Sequence, residues 1–194
     1  MHEILWQRLD ALDGARTAAR AVCGYDAGQE RYSITMLTDE YSVDPAAQCI
    51  RRTEGREGKK AGFLEQLCIL SYLISARDVA PSGKLVKAQS LPAGQFFFRG
   101  IHQLPTAKLA AAFGDEPARL LKAAERLRGR NRDYGDAAVE INVLPKVPVT
   151  FVVWRGDKEY TATASILFDE TAAEHMPLDA LLAAANLAVE KVAG

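Results

Sequence analysis

Residues 136–170 read DAAVEINVLPKVPVTFVVWRGDKEYTATASILFDE, and this stretch decides the fold. In its first part Val139, Ile141 and Val143 recur at every second position. Side chains of a β-strand point alternately to opposite faces, so this spacing predicts a strand with one apolar side. VTFVVW and YTATASILFD follow as two more strands after short connections. The stretch therefore predicts three consecutive strands in an antiparallel sheet.

The two connections within this stretch have different chemistry. LPKVP contains Pro145 and Pro148, which fix the backbone and lack an N–H, so we interpret it as a rigid link between strands. The second connection begins with Arg155, Gly156 and Asp157, a tripeptide known as an adhesion motif. Since the sequence shows no secretion signal, we interpret this tripeptide as a tight hairpin turn whose side chains border a pocket.

Helical patterns surround these strands. The segment Gly62–Arg77 is apolar on almost all sides, which is typical of a buried helix. A hairpin is predicted over RYSITML and EYSVDP, residues 31–45. Further helices are predicted up to about Val22, over Pro105–Phe113 and Pro117–Arg128, and in the closing segment from Met176.

Helices that cluster beside antiparallel hairpins favour an α+β fold. We expect a single domain over residues 1–194, with a mainly antiparallel sheet and packed helices. The apolar helix at Gly62–Arg77 is expected to pack against the sheet. The predicted core includes Leu67, Leu70, Ile141, Val149, Phe151, Val153, Ile166 and Leu167.

Charge and hydropathy restrict the classes of partner. The 194 residues carry a formal net charge of −1, so the basic excess that attracts nucleic acid is missing. No apolar run approaches the roughly 20 residues that span a bilayer. The amino terminus carries acidic residues where a signal peptide is basic and then apolar. We therefore expect a cytoplasmic protein that binds neither nucleic acid nor membrane.

The three cysteines, Cys23, Cys49 and Cys68, are far apart in the sequence and form no CxxC motif. Their spacing predicts neither a zinc site nor an iron–sulfur cluster. Cys68 lies in the apolar run FLEQLCILSYLI, and free cysteine is among the most buried residue types. We expect Cys68 to be a buried structural thiol.

The segment FFFRGIHQLP, residues 96–105, is the main candidate for chemistry. It follows KLVKAQSLPAGQ, and we expect two short strands around Pro92, with phenylalanines on both sides of the second. Aromatic rings next to Arg99 and His102 suit a flat anionic ligand such as a tetrapyrrole, a corrinoid or a haem. In this hypothesis Phe98 contacts the ligand, Arg99 its carboxylate and His102 its metal, while Gly100 lets the backbone approach. The alternative is that the phenylalanines belong to the core and that His102 bonds the loop backbone.

A second group of candidates consists of carboxylates at strand ends. Asp136, Asp157, Glu159 and Asp169 all follow or precede a predicted strand. If they gather at one edge of the sheet, they suit a hard cation or general acid–base chemistry, and Asp157 with Glu159 are candidates for the far side of the ligand cavity. The alternative is that they bond their own backbone in turns. His175 precedes the closing helix, where we expect it to cap the helix or to lie at the surface.

Four phrases from residue 70 onward are similar to one family, and the resemblance covers nearly the whole chain after the first helix. They are LSYLI near Ser71, PSGKLVKAQSLPAGQFFFRGIHQLP from Pro81, GDAAVEINVLPKVPV from Gly135 and WRGDKEYTATASILFDETA from Trp154. Together they resemble the bacterial and archaeal domain-of-unknown-function family 3786. The family's usual Asp-Glu-Glu-Phe turn corresponds to residues 157–160 here, where Lys158 replaces an acidic residue.

The resemblance implies a context, since members occur mostly in anaerobes and some are fused to iron–sulfur segments. It implies anaerobic metal-cofactor or corrinoid metabolism, with iron–sulfur redox proteins as candidate partners. We expect a small ligand- or cofactor-binding protein. The two alternatives are an accessory enzyme acting on a metal cofactor and an interaction module for redox partners.

Overall fold

The computed structural model describes residues 2–53 and 58–194. Its α-helices are α1 (Glu3–Asp10), α2 (Gly14–Ala21), α3 (Phe63–Ser75), α4 (Gly94–Phe97), α5 (Thr106–Phe113), α6 (Ala118–Glu125), α7 (Ala172–His175) and α8 (Leu178–Ala193). Short 3-10 turns lie at Ala88–Ser90 and Gly100–His102. Within the described ranges, every helix is too short or too polar to cross a membrane.

The strands are β1 (Gly24–Asp26), β2 (Arg31–Met36), β3 (Asp39–Asp44), β4 (Cys49–Arg52), β5 (Leu85–Lys87), β6 (Arg130–Arg132), β7 (Ala137–Leu144), β8 (Val147–Trp154) and β9 (Thr163–Asp169). They form a four-stranded sheet in the order β1-β2-β3-β4 and a five-stranded sheet in the order β5-β9-β8-β7-β6. All neighbouring strands are antiparallel. This arrangement confirms the α+β prediction, with two sheets instead of one.

The three strands predicted from the opening stretch are the centre of the larger sheet. Their connection differs in detail, because Val147 and Pro148 already belong to β8 and Pro148 pairs with Asn142. The ladder changes register between Asn142 and Leu144. Proline is tolerated at such an irregularity because it lacks the N–H that a regular ladder needs. The rigid link predicted over LPKVP is therefore a two-residue turn at Pro145 and Lys146.

Helix α3 is buried on nearly all sides, as its composition predicts, and all residues from Cys68 to Ile74 are buried. It packs against α8, α1 and α2. The Tyr72 hydroxyl donates a hydrogen bond to the Ala21 carbonyl at 2.9 Å, which ties α3 to the end of α2. The two sheets also meet directly, since the Leu37 amide donates to the Val143 carbonyl at 2.8 Å.

The predicted core is largely confirmed. Leu70, Ile141, Val149, Phe151, Val153 and Ile166 are buried. Leu67 and Leu167 are only partly buried, at positions where their elements meet the surface.

The single amino-terminal helix predicted up to about Val22 is wrong. The chain instead forms α1 and α2, because Asp13 caps a new helix by accepting a hydrogen bond from the Arg16 amide at 2.8 Å. Gly14 is the first residue of α2, and a Cβ there would lie 2.2 Å from the Tyr25 ring. The separation of α1 from α2 therefore depends on the Asp13 cap and on the close packing of Gly14 against the Tyr25 ring.

Two further differences concern short segments. The charged, glycine-bearing sequence of residues 51–62, RRTEGREGKKAG, predicts a loop, but β4 continues to Arg52, and residues 54–57 lie outside the described part of the chain. The second strand predicted around Pro92 is wrong. There the Phe96 and Phe97 amides both donate to the Ala93 carbonyl, at 3.0 and 3.2 Å. These local bonds form the helical turn α4.

Gly94 begins this turn, and its position gives a test of the fold. A Cβ at residue 94 would lie 2.0 Å from the Ala88 carbonyl oxygen, a backbone atom that cannot move independently. We expect Gly94→Ala to lower the free energy of unfolding by about 1–3 kcal/mol, as overpacking does. Urea denaturation measures the change.

Gly28→Ala is the matched control for Gly94→Ala. A Cβ at residue 28 would meet only the Asp26 carboxylate oxygen, at 3.3 Å and at the surface. Equal urea midpoints for Gly94→Ala and Gly28→Ala would contradict the close approach of Gly94 to the Ala88 carbonyl.

Candidate functional site

An open cleft of about 580 Å³ lies beside β9. Strand β5 pairs only with Leu167–Asp169, so Thr163–Ile166 has no partner strand on that side within the described structure. The chain from β5 to the start of α5 forms the remaining walls. The lining residues are Lys87, Gln89, Phe98, Gln103, Leu104, Thr106, Ser165 and Ile166. We call this space the β9 cleft.

The three phenylalanines of FFFRGIHQLP have different environments. Phe98 is 4% exposed, lines the β9 cleft, and stacks on Phe168 with 6.4 Å between ring centroids. Phe97 is partly buried against the core, whereas Phe96 is 68% exposed. The arrangement on two sides of a strand is thus wrong, because a helical turn spreads the rings around its axis.

The polar residues of this segment lie around the rim. The His102 ring stacks on Phe97, with 4.5 Å between centroids and 4° between planes. It immediately precedes Gln103, which lines the cleft. Arg99 lies at the surface, where its Nε donates to the Gln95 carbonyl at 2.8 Å. Gly100 has φ of 58° and no atom within 4 Å of a built Cβ, so its backbone is open to solvent.

Asp157 and Glu159 lie far from the β9 cleft. The Asp157 carboxylate accepts hydrogen bonds from the Glu159 and Tyr160 amides, both at 2.8 Å, and these bonds lower the pKa of Asp157. Its loop contacts the end of α5, where the Gly156 amide donates to the Gly114 carbonyl at 3.4 Å. The cleft lies at the other end of this eight-residue helix, about 12 Å away. The structure therefore separates these carboxylates from His102.

The four strand-end carboxylates also do not form one group. Asp136 lies near Asp157, where it accepts from the Arg155 amide at 2.7 Å. Asp169 ends β9 at the opposite end of the antiparallel sheet. The structure thus favours the turn interpretation for Asp157. Asp136 instead bonds the backbone of Arg155, just beyond the neighbouring strand β8.

Asp169 is fully buried at the centre of a hydrogen-bond network that sequence reasoning missed. Its carboxylate accepts from the Ser82 and Gly83 amides at 3.1 and 2.6 Å, and from the Thr171 amide and hydroxyl at 3.0 and 2.7 Å. Burial by itself raises the pKa of Asp169, but these bonds to the ionised form outweigh burial and hold the pKa below its ordinary value. An acidic residue that ends an apolar strand was the only sequence signal.

His175 is also fully buried, so the expectation of a surface position is wrong. Its Nδ1 accepts from the Arg77 amide at 3.4 Å, and its Nε2 has no partner among the described residues. Burial lowers the pKa of His175, and the nearby Lys146 acts in the same direction, whereas Glu174 and Asp169 oppose them. The Lys146 ammonium donates to the Arg77 carbonyl at 2.8 Å.

A second network lies where the smaller sheet meets α3 and α8. The Tyr41 hydroxyl donates to Glu65 Oε1 at 2.6 Å, and Arg52 donates to the same carboxylate at 2.9 Å. Asp39 Oδ2 lies 3.3 Å from Arg52 and 3.0 Å from Lys191. Burial, followed by the bond to Glu65, raises the pKa of Tyr41. A single acidic residue in an otherwise apolar helix, as Glu65 is in α3, is a sequence signal for such a network.

The cysteines differ in burial. Cys68 is fully buried, as expected, and its thiol donates to the Ala180 carbonyl at 3.6 Å. Burial raises the pKa of the Cys68 thiol well above its ordinary value and that of Cys23 to about 11. Within residues 2–53 and 58–194, no group of three or more His, Cys, Asp or Glu side chains is placed to hold a metal ion.

The fold and its cavities define a two-sheet α+β protein with an open cleft and buried polar networks. A family model described as "Domain of unknown function (DUF3786)" matches residues 13–191, and the chain belongs to this family. This match confirms the resemblance seen in the sequence. No curated protein and no solved structure matches the chain.

The lowered pKa of His175 predicts a pH-dependent stability. Because the folded protein resists protonating this ring, the unfolded chain binds the proton first as the pH falls below about 6.5, the ordinary histidine pKa. Stability from neutral His175 is therefore present above pH 6.5 and is lost below it. We expect the urea midpoint to fall between pH 7.5 and pH 5, and to fall less in His175→Gln.

His2 and His102 are present in both proteins, so they cancel in this comparison. An identical pH slope in wild type and His175→Gln would contradict the buried neutral state of His175.

Asp169 predicts a large loss of stability on substitution. Asp169→Asn removes the charge that accepts from Ser82, Gly83 and Thr171, and places an amide N–H₂ against donors. We expect a loss of about 2–4 kcal/mol in the free energy of unfolding, measured by urea denaturation.

Asp157→Asn is the matched control, because Asp157 also accepts two amides but lies at the surface. Its effect is expected to be small. A loss for Asp157→Asn as large as for Asp169→Asn would show that burial of the network is not what stabilises it.

Proposed function

We propose that the protein binds a small anionic ligand with a flat apolar body, of the tetrapyrrole or corrinoid type, in the β9 cleft. The observation that carries this proposal is the position of Phe98 in the wall of the same cleft as Lys87. An aromatic wall suits the apolar body of such a ligand, and an ammonium group suits its carboxylate.

The size and lining of the cleft support the proposal. Its volume of about 580 Å³ lies within the roughly 300–1,000 Å³ that small-molecule sites occupy. Gln89, Gln103, Thr106 and Ser165 add side chains that donate or accept hydrogen bonds. Phe98, Leu104 and Ile166 supply the apolar part of the lining, so the cleft is more polar than most small-molecule sites and suits a ligand that carries charged groups.

Lys87 is the charged group best placed for an anion. It ends β5, is exposed, and has no ion-pair partner in the described structure. By contrast, the neighbouring Lys84 pairs with Glu170 at 2.8 Å. A ligand carboxylate can therefore reach Lys87 without displacing an internal partner. The free edge of β9 adds backbone N–H and C=O groups on the same side.

In this proposal His102 is the residue that ligates a metal at the ligand's centre. His102 immediately precedes the lining residue Gln103 in the chain, and its ring is stacked on Phe97. Such a cofactor would connect the protein to the anaerobic metabolism that the family resemblance implies.

Titration with protoporphyrin IX, a metal-free dicarboxylate, tests the binding site. We expect saturable quenching of porphyrin fluorescence by wild type, and an affinity about fivefold lower for Lys87→Met, the effect of one charge pair at a surface. Lys158→Met is the control, because Lys158 lies in the loop at the far end of α5. Absence of saturable binding, or equal affinities for wild type and Lys87→Met, would refute the proposal.

Titration with haemin separates the role of His102 from that of the cleft. We expect haemin to give an additional absorbance change from axial ligation, and His102→Ala to abolish that change while leaving protoporphyrin affinity unaltered. A ligation spectrum that survives in His102→Ala would exclude His102 as the metal ligand.

A further inference from the structure

A pocket of about 240 Å³ lies between the turn that joins β2 to β3 and the carboxyl end of α8. It is lined by Met36, Leu37, Asp39, Tyr41, Arg52, Glu65, Leu187, Glu190 and Lys191. None of these residues lines the β9 cleft. We propose that this space, the α8 pocket, binds a small zwitterion with an apolar side chain, that is, an amino acid or a close analogue.

One side of the α8 pocket is a rigid polar wall. Tyr41 is 2% exposed, and its hydroxyl both donates to Glu65 and accepts from Arg52, at 2.6 and 3.2 Å. Glu65 also accepts from the Gly62 amide at 2.5 Å. These groups satisfy one another, so the wall positions Arg52 and Asp39 but has little capacity left for a ligand.

The groups that remain open lie on α8. An ammonium group has three N–H donors, and Lys191 uses one of them on Asp39 at 3.0 Å. Its other two have no partner among the described residues. Among the residues that the structure describes, the Glu190 carboxylate pairs only with Lys108, at a long 3.7 Å, and both side chains are more than half exposed. Exposed ion pairs of this kind are weak. A cationic donor and an anionic acceptor thus border one pocket.

The two groups of the lining with unused hydrogen-bonding capacity, Lys191 and Glu190, have opposite charges, which favours a zwitterion over a simple ion. Two cations, Arg52 and Lys191, face three carboxylates, Asp39, Glu65 and Glu190. Asp39 and Glu65 are engaged with Arg52, and Asp39 also with Lys191. A ligand with a carboxylate for Lys191 and an ammonium for Glu190 adds no net charge to this balance. A ligand with either group alone leaves the opposite side unmatched.

The rest of the lining sets the size and the apolar part of the ligand. Met36, Leu37 and Leu187 supply aliphatic surface. Leu37 is held by its backbone, which has φ of 57° and donates to the Val143 carbonyl at 2.8 Å. The volume of about 240 Å³ lies below the roughly 300–1,000 Å³ of sites for drug-sized ligands. An aliphatic amino acid such as leucine has a suitable size and polarity.

Isothermal titration calorimetry with three probes tests the proposal. The probes are leucine, 4-methylpentanoate, which lacks its ammonium, and 3-methylbutylamine, which lacks its carboxylate. We expect saturable binding of leucine, and binding about tenfold weaker or more for each truncated probe, since each loses a charged partner. Absence of leucine binding up to about 10 mM, a Kd near the weak end of specific recognition, would overturn the proposal.

Substitutions of Lys191 and Glu190 test which residue binds the carboxylate and which binds the ammonium of the ligand. We expect Lys191→Met to lower the affinity for leucine by about tenfold but to leave the affinity for 3-methylbutylamine unchanged. We expect Glu190→Gln to lower the affinity for leucine but not that for 4-methylpentanoate. Lys191→Arg keeps the charge and is expected to retain most of the affinity. Thermal unfolding of each variant checks that the fold is intact.

Lys87→Met is the control for the other cavity and is expected to bind leucine like wild type. Equal leucine affinities for wild type, Lys191→Met and Glu190→Gln would overturn the proposal, as would truncated probes that bind as tightly as leucine. None of these results depends on whether the β9 cleft binds a porphyrin.

Discussion

The buried carboxylate of Asp169 is the constraint on which the larger sheet and its cleft depend. It sits at the end of β9 and accepts from the backbone of Ser82 and Gly83, the two residues that lead into β5. A buried charge without such donors costs several kcal/mol. Moving the turn before β5 away from Asp169 would therefore destabilise the folded protein. The position of this turn fixes where β5 pairs with β9. The end of β5 then places Lys87 and the chain beyond it along the β9 cleft.

Much of the fold follows from sequence patterns because the relevant contacts are local. The alternation around Val139 and Phe151 reflects a face buried against helices, and this pattern survives in any antiparallel arrangement. The apolar helix α3 was equally clear, since few surface helices are apolar on every side. Proline and glycine near the ends of α5 and α6 gave their bounds to within a few residues.

What the sequence could not reveal depends on contacts that the residue types of a segment do not encode. At the helical turn α4 a bend brings Gly94 against the Ala88 carbonyl, whereas three phenylalanines in a row suggested a strand. Likewise, His175 lies near Lys146 and Asp169 only in the folded chain, so its burial had no signature in its own segment. For the candidate site, Phe98 lines the β9 cleft, whereas the Arg99 side chain bonds the Gln95 carbonyl of its own helical turn, a contact that its residue type does not reveal.

The pairing of β5 with β9 also has a kinetic consequence. The smaller sheet joins strands that follow one another in the chain, whereas Ser82 and Asp169 meet across 87 residues of sequence. Contacts of long sequence separation lose more chain entropy before they form, and they tend to form late in folding. Strand β5 is only three residues long and lies at the sheet edge, so we expect it to detach at lower free energy than the central strands. The wall of the β9 cleft would then open by local unfolding while the turn held by Asp169 and the core stay in place.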